Sequence, residues 1–286
     1  TVTAALALAL RQLGKRVKIF KCGPAFLDPK VLALASGADV NPLDLWMLGE
    51  DGCRAALYDA ASSADVILVE GVMGLYDGTP SAADLAKRFG LPVLAVIDGS
   101  GMAQTFAAIA HGLATFTPDL PFAGVIANRT GSAGHGKWLK MALPDHLPWF
   151  GALQRQPDTI WPERDLGLVD PADVDDGLTR LQGMADDLKA CLAERDLPTV
   201  TFEQPATLPE LPSLASVRIG IAQDEAFRHV YPANIALLEK MGAEYYGFSP
   251  LRDTALPELD AVYLPGGPLE NHLAQLAENS PMLAAL

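Results

Sequence analysis

The run Val66-Ile67-Leu68-Val69 constrains the fold of this chain more than any other stretch. Successive side chains of a strand point to opposite faces, so a strand made only of aliphatic residues is buried on both. Such strands belong to parallel sheets sandwiched between helices. Glu70 follows directly, and the segment Gly71-Val72-Met73-Gly74-Leu75-Tyr76-Asp77-Gly78 is too rich in glycine for either regular element. The strand therefore ends in a loop carrying two carboxylates, and open parallel sheets hold their ligands outside the carboxyl ends of their strands.

The alternation of apolar strand and helix continues on both sides of this point. Residues 1–13 are rich in Ala and Leu and stop at Gly14, the signature of a helix with a C-terminal glycine cap. The spacing predicts further helices over 30–36, 43–61, 82–89, 102–116 and 136–143, and strands over 17–20, 93–97, 124–127 and 149–153. Right-handed crossovers would join these strands into a parallel sheet covered on both faces. A helix is expected within the more charged stretch 170–197. Pro198, Pro205, Pro209 and Pro212 then mark an aperiodic linker. The domains expected are 1–197, a linker at 198–216, and a second α/β unit at 217–286, with strands over 217–222, 243–248 and 261–264 and a helix over 231–241. The second unit is short for an independent α/β domain, which ordinarily takes about 100 residues or more, so it is expected to be incomplete.

Composition excludes several classes of function. A formal net charge of -14 opposes the phosphate backbone, so nucleic acid is not expected as a partner. The apolar stretch 4–10 is too short to span a bilayer and runs into Arg11, Lys15 and Arg16, which argues for a buried helix and against a signal peptide or a membrane anchor. Cys22, Cys53 and Cys191 are odd in number and widely spaced, fitting neither a disulfide framework nor a zinc site and pointing to a reducing cytoplasm. With Thr1 opening directly on a helix, the chain is expected to begin inside an element.

The chemistry collects in loops at strand ends. Glu70, after an apolar run, and Asp77 suit a magnesium ion, which takes hard oxygen ligands and keeps water and phosphate for the rest of its shell; for Asp77 a turn-forming role before Gly78 is the alternative. Lys21 enters the turn Lys21-Cys22-Gly23-Pro24-Ala25-Phe26-Leu27-Asp28-Pro29, where its ammonium would meet a phosphate or remain solvated. Asp28 would be a ligand or the cap of the next helix. Asn128-Arg129 ends another strand, where an amide reads an adenine edge or stabilises a loop. Gly266-Gly267 would offer backbone amides to an oxyanion or form a simple turn. His111, His135, His146, His229 and His272 lack metal-ligand spacing and read as ordinary loop histidines.

Taken in order, four segments carry a resemblance: residues 21–29, then 70–78, then Asn128-Arg129 with Gly131-Ser132 and His135, then Glu163-Arg164 with Leu166-Gly167-Leu168-Val169. Phe227, Tyr231-Pro232, Asn234, Phe248-Ser249-Pro250-Leu251, Asp253 and Gly266-Gly267 extend it to the second unit. The chain resembles the cobyrinate and hydrogenobyrinate a,c-diamide synthases of cobalamin biosynthesis. The resemblance implies a parallel-sheet P-loop NTPase-like domain, similar to dethiobiotin synthetase, followed by an incomplete class I glutamine amidotransferase-like domain. It implies a cytoplasmic ligase whose substrates are ATP, glutamine and a corrinoid tetracarboxylate, with Mg2+ as cofactor, and it leaves a homodimer open. Each carboxylate, c before a, would be activated as an acyl phosphate and then amidated. By the same resemblance Lys21, Asp28 and Asp77 are catalytic, Glu70 holds magnesium, Thr1, Lys21, Asn128 and Arg129 contact the nucleotide, and Phe26, Leu27, Asp28 and Tyr76 belong to the substrate site.

Three departures accompany it. The family's phosphate-binding loop ending in Lys-Thr would immediately precede Thr1, and the glutaminase cysteine and its histidine would lie beyond Leu286. Ala25 stands where the family usually has Asp, an engineered change or a natural deviation that weakens magnesium or substrate handling. The rival readings are a diamide synthase acting on nickel sirohydrochlorin and, more distantly, a partitioning-type ATPase that works by nucleotide-switched dimerisation.

Overall fold

A computed structural model describes residues 1–155, 161–164 and 167–286, which divide into two compact units, Thr1–Ala206 and Thr207–Leu286. In the first unit, helix α1 (Val2–Gln12) opens the chain, and every residue from Ala4 to Leu10 is buried. A helix apolar all round must be enclosed, and α1 packs against two later helices, described below as α2 and α7. Strand β1 (Val17–Lys21) follows, then α2 (Leu27–Ser36), the two-residue β2 (Asn41–Pro42), α3 (Leu45–Ser63) and β3 (Val66–Glu70). Asp44 caps α3 by accepting from the N–H groups of Trp46 and Met47, which moves its start past the predicted residue 43. Next come α4 (Ala82–Phe89), closed at its N-terminus by a Ser81/Asp84 capping box, β4 (Val93–Asp98), α5 (Gln104–Thr115), β5 (Phe122–Thr130), α6 (Ala133–Ala142) and β6 (Trp149–Gln154).

Two short strands that the sequence pattern does not announce, β7 (Glu163–Arg164) and β8 (Gly167–Leu168), pair antiparallel. They fall within the fourth motif, of which Leu166 lies outside the described residues. Helix α7 (Gly177–Ala193) then packs Leu181, Met184, Ala185 and Leu188 into the core around α1, occupying only the middle of the predicted stretch. The proline-rich segment is not all spacer, because Phe202 packs on the cluster of Phe20, Leu43, Leu57 and Phe89.

The parallel pairing is as expected, but hydrogen bonding divides the strands of the first unit where the sequence reads as one sheet. One sheet has the order β2-β1-β3 and the other β4-β5-β6. β3 and β4 are each an outer strand, and both line a cavity of about 790 Å3, joined there by Val2, Leu6 and Leu10 of α1.

The second unit repeats the theme at smaller scale. β9 (Arg218–Ala222), α8 (Pro232–Lys240), β10 (Glu244–Phe248) and β11 (Ala261–Tyr263) form a parallel sheet of order β10-β9-β11, followed by α9 (Leu273–Glu278) and α10 (Ser280–Ala285). Ala222, Phe248 and Met282 make its core, with Phe227 against them.

Two features of the first unit yield measurable expectations. Gly124 sits in β5 at φ +147°, where an added Cβ would lie 2.3 Å from the Pro148 carbonyl oxygen and 2.8 Å from the Phe150 ring. Gly124→Ala is expected to lower stability by about 2 kcal/mol, as overpacking next to fixed backbone does, seen as an earlier urea transition; an unchanged midpoint would refute this. Cys22 and Cys53 lie in the core beside Phe20 and Leu57, and burial, helped by the nearby Asp44 carboxylate, pushes both thiols up to about 11. The nucleophile is the thiolate, so in the folded protein at pH 8 a colorimetric thiol reagent should fail to react with either, and should react with both after unfolding.

Candidate functional site

The parallel register of β1 and β3 pairs Ile19 with Leu68, Phe20 with Val69 and Lys21 with Glu70, so two chemically active residues leave the sheet side by side. Lys21 is 5% exposed, a buried lysine and not the solvated one that a turn residue suggests. Its ammonium donates to the Gly71 carbonyl at 2.9 Å and lies 3.5 Å from Glu70 Oε2 and 3.8 Å from Asp28 Oδ2. A buried charge is costly without such partners. Asp28 stands in the first turn of α2, whose N-cap is Phe26 and lacks a side-chain cap, so its carboxylate faces Lys21 and is not consumed in capping. The helix dipole favours an acid there. The result is one buried cation held by two carboxylates that remain open to solvent, their side chains 20% and 40% exposed.

Gly23 closes this corner. It adopts φ +76°, a conformation costly for other residues, and a Cβ on it would touch the Val72 side chain at 3.4 Å, so the loop after β1 and the loop after β3 lie against each other. Ala25 and Phe26, between Gly23 and α2, and Leu27, the first residue of α2, are half-buried.

Asp77 is not brought to Lys21. Its carboxylate accepts from the Gly74 N–H at 3.1 Å, while its own N–H donates to the Gly74 carbonyl, so it shapes its own loop. Tyr76 is also engaged: its hydroxyl donates to the Leu113 carbonyl at 2.5 Å and its ring packs on Phe116 with centroids 4.8 Å apart, pinning the loop to α5. Thr1 stands before α1, its carbonyl accepting from Ala5. Among the described residues no hydrogen bond or ion pair joins Thr1, Asn128 or Arg129 to the Lys21 group.

Asn128 and Arg129 belong to a second cluster, at the ends of β4 and β5, where Asp98 pairs in register with Asn128. Arg129 Nη1 donates to Asp98 Oδ2 at 3.3 Å, and the N–H and hydroxyl of Ser100 donate to Asp98 Oδ1 at 2.9 and 2.6 Å. The Ser100 hydroxyl and N–H, with Arg129 behind them, hold the Asp98 carboxyl below its usual range. Arg129 has φ +57°, and its N–H donates to Asn128 Oδ1 at 2.9 Å. Asp98 was not among the expected site residues, yet it follows the apolar run of β4 as Glu70 follows that of β3, which is the signal that finds it.

His135, expected to be an ordinary loop histidine, is half-buried and tied at both ring nitrogens, to Gly131 and to Met102. The His111 and His146 rings meet edge to face at 5.7 Å, and in the second unit the N–H of His229 donates to the Gly266 carbonyl at 2.8 Å. Among the described residues no group of three or more His, Cys, Asp or Glu side chains is suited to a metal ion, and no helix is long and apolar enough to cross a membrane.

Comparison with known proteins agrees with both units. Residues 1–169 match the family described as the CobQ/CobB/MinD/ParA nucleotide binding domain, and residues 218–286 match the CobB/CobQ-like glutamine amidotransferase domain. The chain is 56% identical to the hydrogenobyrinate a,c-diamide synthase of Stutzerimonas stutzeri and 55% identical to that of Pseudomonas aeruginosa, in each case over 100% of this chain and 66% of the relative. It is 46% identical to the cobyrinate a,c-diamide synthase of Herminiimonas arsenicoxydans, over 97% of this chain and 63% of that one. The chain thus spans just under two thirds of the length of these relatives. With a match over more than half its residues, across the strands that bear Lys21, Glu70, Asp98 and Asn128, the chain belongs to the family of CobQ/CobB/MinD/ParA nucleotide binding domains.

Proposed function

We propose that the protein carrying this chain is a glutamine-hydrolysing ligase that uses ATP to amidate the c- and then the a-carboxylate of a corrinoid in cobalamin biosynthesis. The observation that carries this reading is the buried Lys21 ammonium held by Glu70 and Asp28 at paired strand ends, within a chain 56% identical to a named diamide synthase. The relatives at 56% and 55% are named for hydrogenobyrinate and the one at 46% for cobyrinate, which favours the cobalt-free substrate. Three free cysteines support a reducing cytoplasm.

The chemistry follows from the charges. A substrate carboxylate oxygen attacks the terminal phosphorus of ATP, the bond to ADP breaks, and an acyl phosphate forms; ammonia from glutamine then adds to the acyl carbon and inorganic phosphate leaves. In the first step negative charge gathers on the transferring phosphoryl group, and a fixed ammonium such as Lys21 offsets it without reorganising. Glu70 and Asp28 fit a magnesium ion, since two partly open carboxylates beside phosphate oxygens and water are the donors it accepts. Magnesium bound there would supply further neutralisation of phosphoryl charge. Asn128, Arg129 and Thr1 serve the nucleotide, and Phe26, Leu27 and Tyr76 the corrinoid. Asp77 handles the substrate carboxylate through the oxygen that the Gly74 N–H does not engage. An acyl phosphate hydrolyses in water, so the loops after β1 and β3 must exclude solvent as they hold it.

The full-length protein, given ATP, glutamine and hydrogenobyrinate, should form one amide for each ADP. Glu70→Gln should lower that turnover at least about 100-fold while leaving glutamine hydrolysis intact, and Ala25→Asp should raise it. Turnover retained in Glu70→Gln would remove Glu70 from the mechanism, and amidation of nickel sirohydrochlorin alone would replace the substrate.

A further inference from the structure

Resting on the reading of Asn128 and Arg129 as nucleotide contacts, we infer that His135 is a positioning residue of the nucleotide site: it clasps the loop after β4 to the loop after β5 and thereby sets Asn128-Arg129. His135 lies in the first turn of α6, where Ser132 caps the helix by accepting from the His135 N–H at 3.1 Å. This turns the ring back toward the strand ends. The Gly131 N–H lies 3.1 Å from Nδ1, and the Met102 carbonyl oxygen 2.7 Å from Nε2. A backbone N–H can only donate and a carbonyl can only accept, so the ring is satisfied in one form alone: Nδ1 bare, and Nε2 carrying the proton that it donates to Met102. Both bonds go to main chain, one to each loop.

What lies between these anchors needs holding. Arg129 is kinked at φ +57°, a conformation that persists only where the surroundings impose it. The Arg129–Asp98 pair spans the same gap, but the two side chains are 55% and 48% exposed, and an exposed pair contributes little. Beyond the β4–β5 ladder, the Gly99 N–H also donates to the Asn128 carbonyl at 2.8 Å. Gly131 is two residues beyond Arg129, and Met102 is four beyond Asp98, so the His135 ring fixes both arms of the cluster from the far side. The half-buried histidine holds the backbone, and the exposed residues are left for a ligand.

The test compares nucleotide affinity with turnover in the full-length protein. His135→Ala should raise KM for ATP about tenfold, the loss of one or two neutral hydrogen bonds, while kcat and KM for glutamine stay within twofold. His135→Asn retains an acceptor near Gly131 and His135→Gln a donor near Met102, so each should recover part of the affinity. A merely structural histidine would lower the melting temperature and leave KM for ATP unchanged, and that result would overturn the inference. Should His135→Ala not fold, wild-type KM for ATP in both the Asn and Gln variants would overturn it equally. If wild-type protein does not bind ATP at all, the proposed function fails, and the inference with it; if it binds ATP and the variants match it, the inference alone fails.

Discussion

The burial of one ammonium group governs the geometry of the first strand ends. Lys21 has almost no access to solvent, so its charge must be met by protein atoms, and the in-register partner Glu70, the Gly71 carbonyl and Asp28 meet it. Because these partners come from the end of β3, the following loop and the first turn of α2, three separate segments are drawn to one point. An aliphatic residue at position 21 would leave Glu70 without its cation and release that constraint.

The second strand-end cluster is built differently. Around Asp98 the ionised groups are exposed, and order comes from main-chain bonds and the His135 ring. The first unit therefore carries one site whose charges are half-withdrawn from water and one whose charges face it, each at the C-terminal end of a parallel strand pair. Under the proposed function, that suits a division of labour in which the Lys21 corner would perform phosphoryl chemistry and the Asn128-Arg129 corner would recognise the nucleotide.

Much of this was legible in the sequence because burial leaves a strong pattern. The helix of residues 82–89 reads as it folds, since a capped amphipathic helix has one good solution; Val66 to Val69 form the strand that their run announces, but they are only half-buried and not enclosed on both faces, because they line the cavity. Glu70 was readable as unusual because it follows that run. Burial of Lys21 was not, because it depends on which strands become neighbours. Asp77 and Tyr76 sit in a loop rich in functional residue types, where Gly74 meets one carboxylate oxygen of Asp77 and Leu113 accepts from the Tyr76 hydroxyl. Residue type does not show which partner wins. The division of the strands into two sheets was equally hidden, as periodicity reports that a strand is buried and not what lies against its edge.

That edge has a consequence for handling the protein. Among the described residues, β3 and β4 each have a hydrogen-bonded strand on one side alone, and residues of both line the shared cavity. Unpaired edges of apolar strands are templates for pairing with other chains, and proteins ordinarily blunt them with charge, proline or a covering element. Here Val66, Ile67, Leu68 and Val69 on one side and Val93, Leu94 and Val96 on the other supply no charge of their own. For this chain handled by itself, the net charge of -14 is then the feature that opposes such pairing, since like-charged copies repel one another.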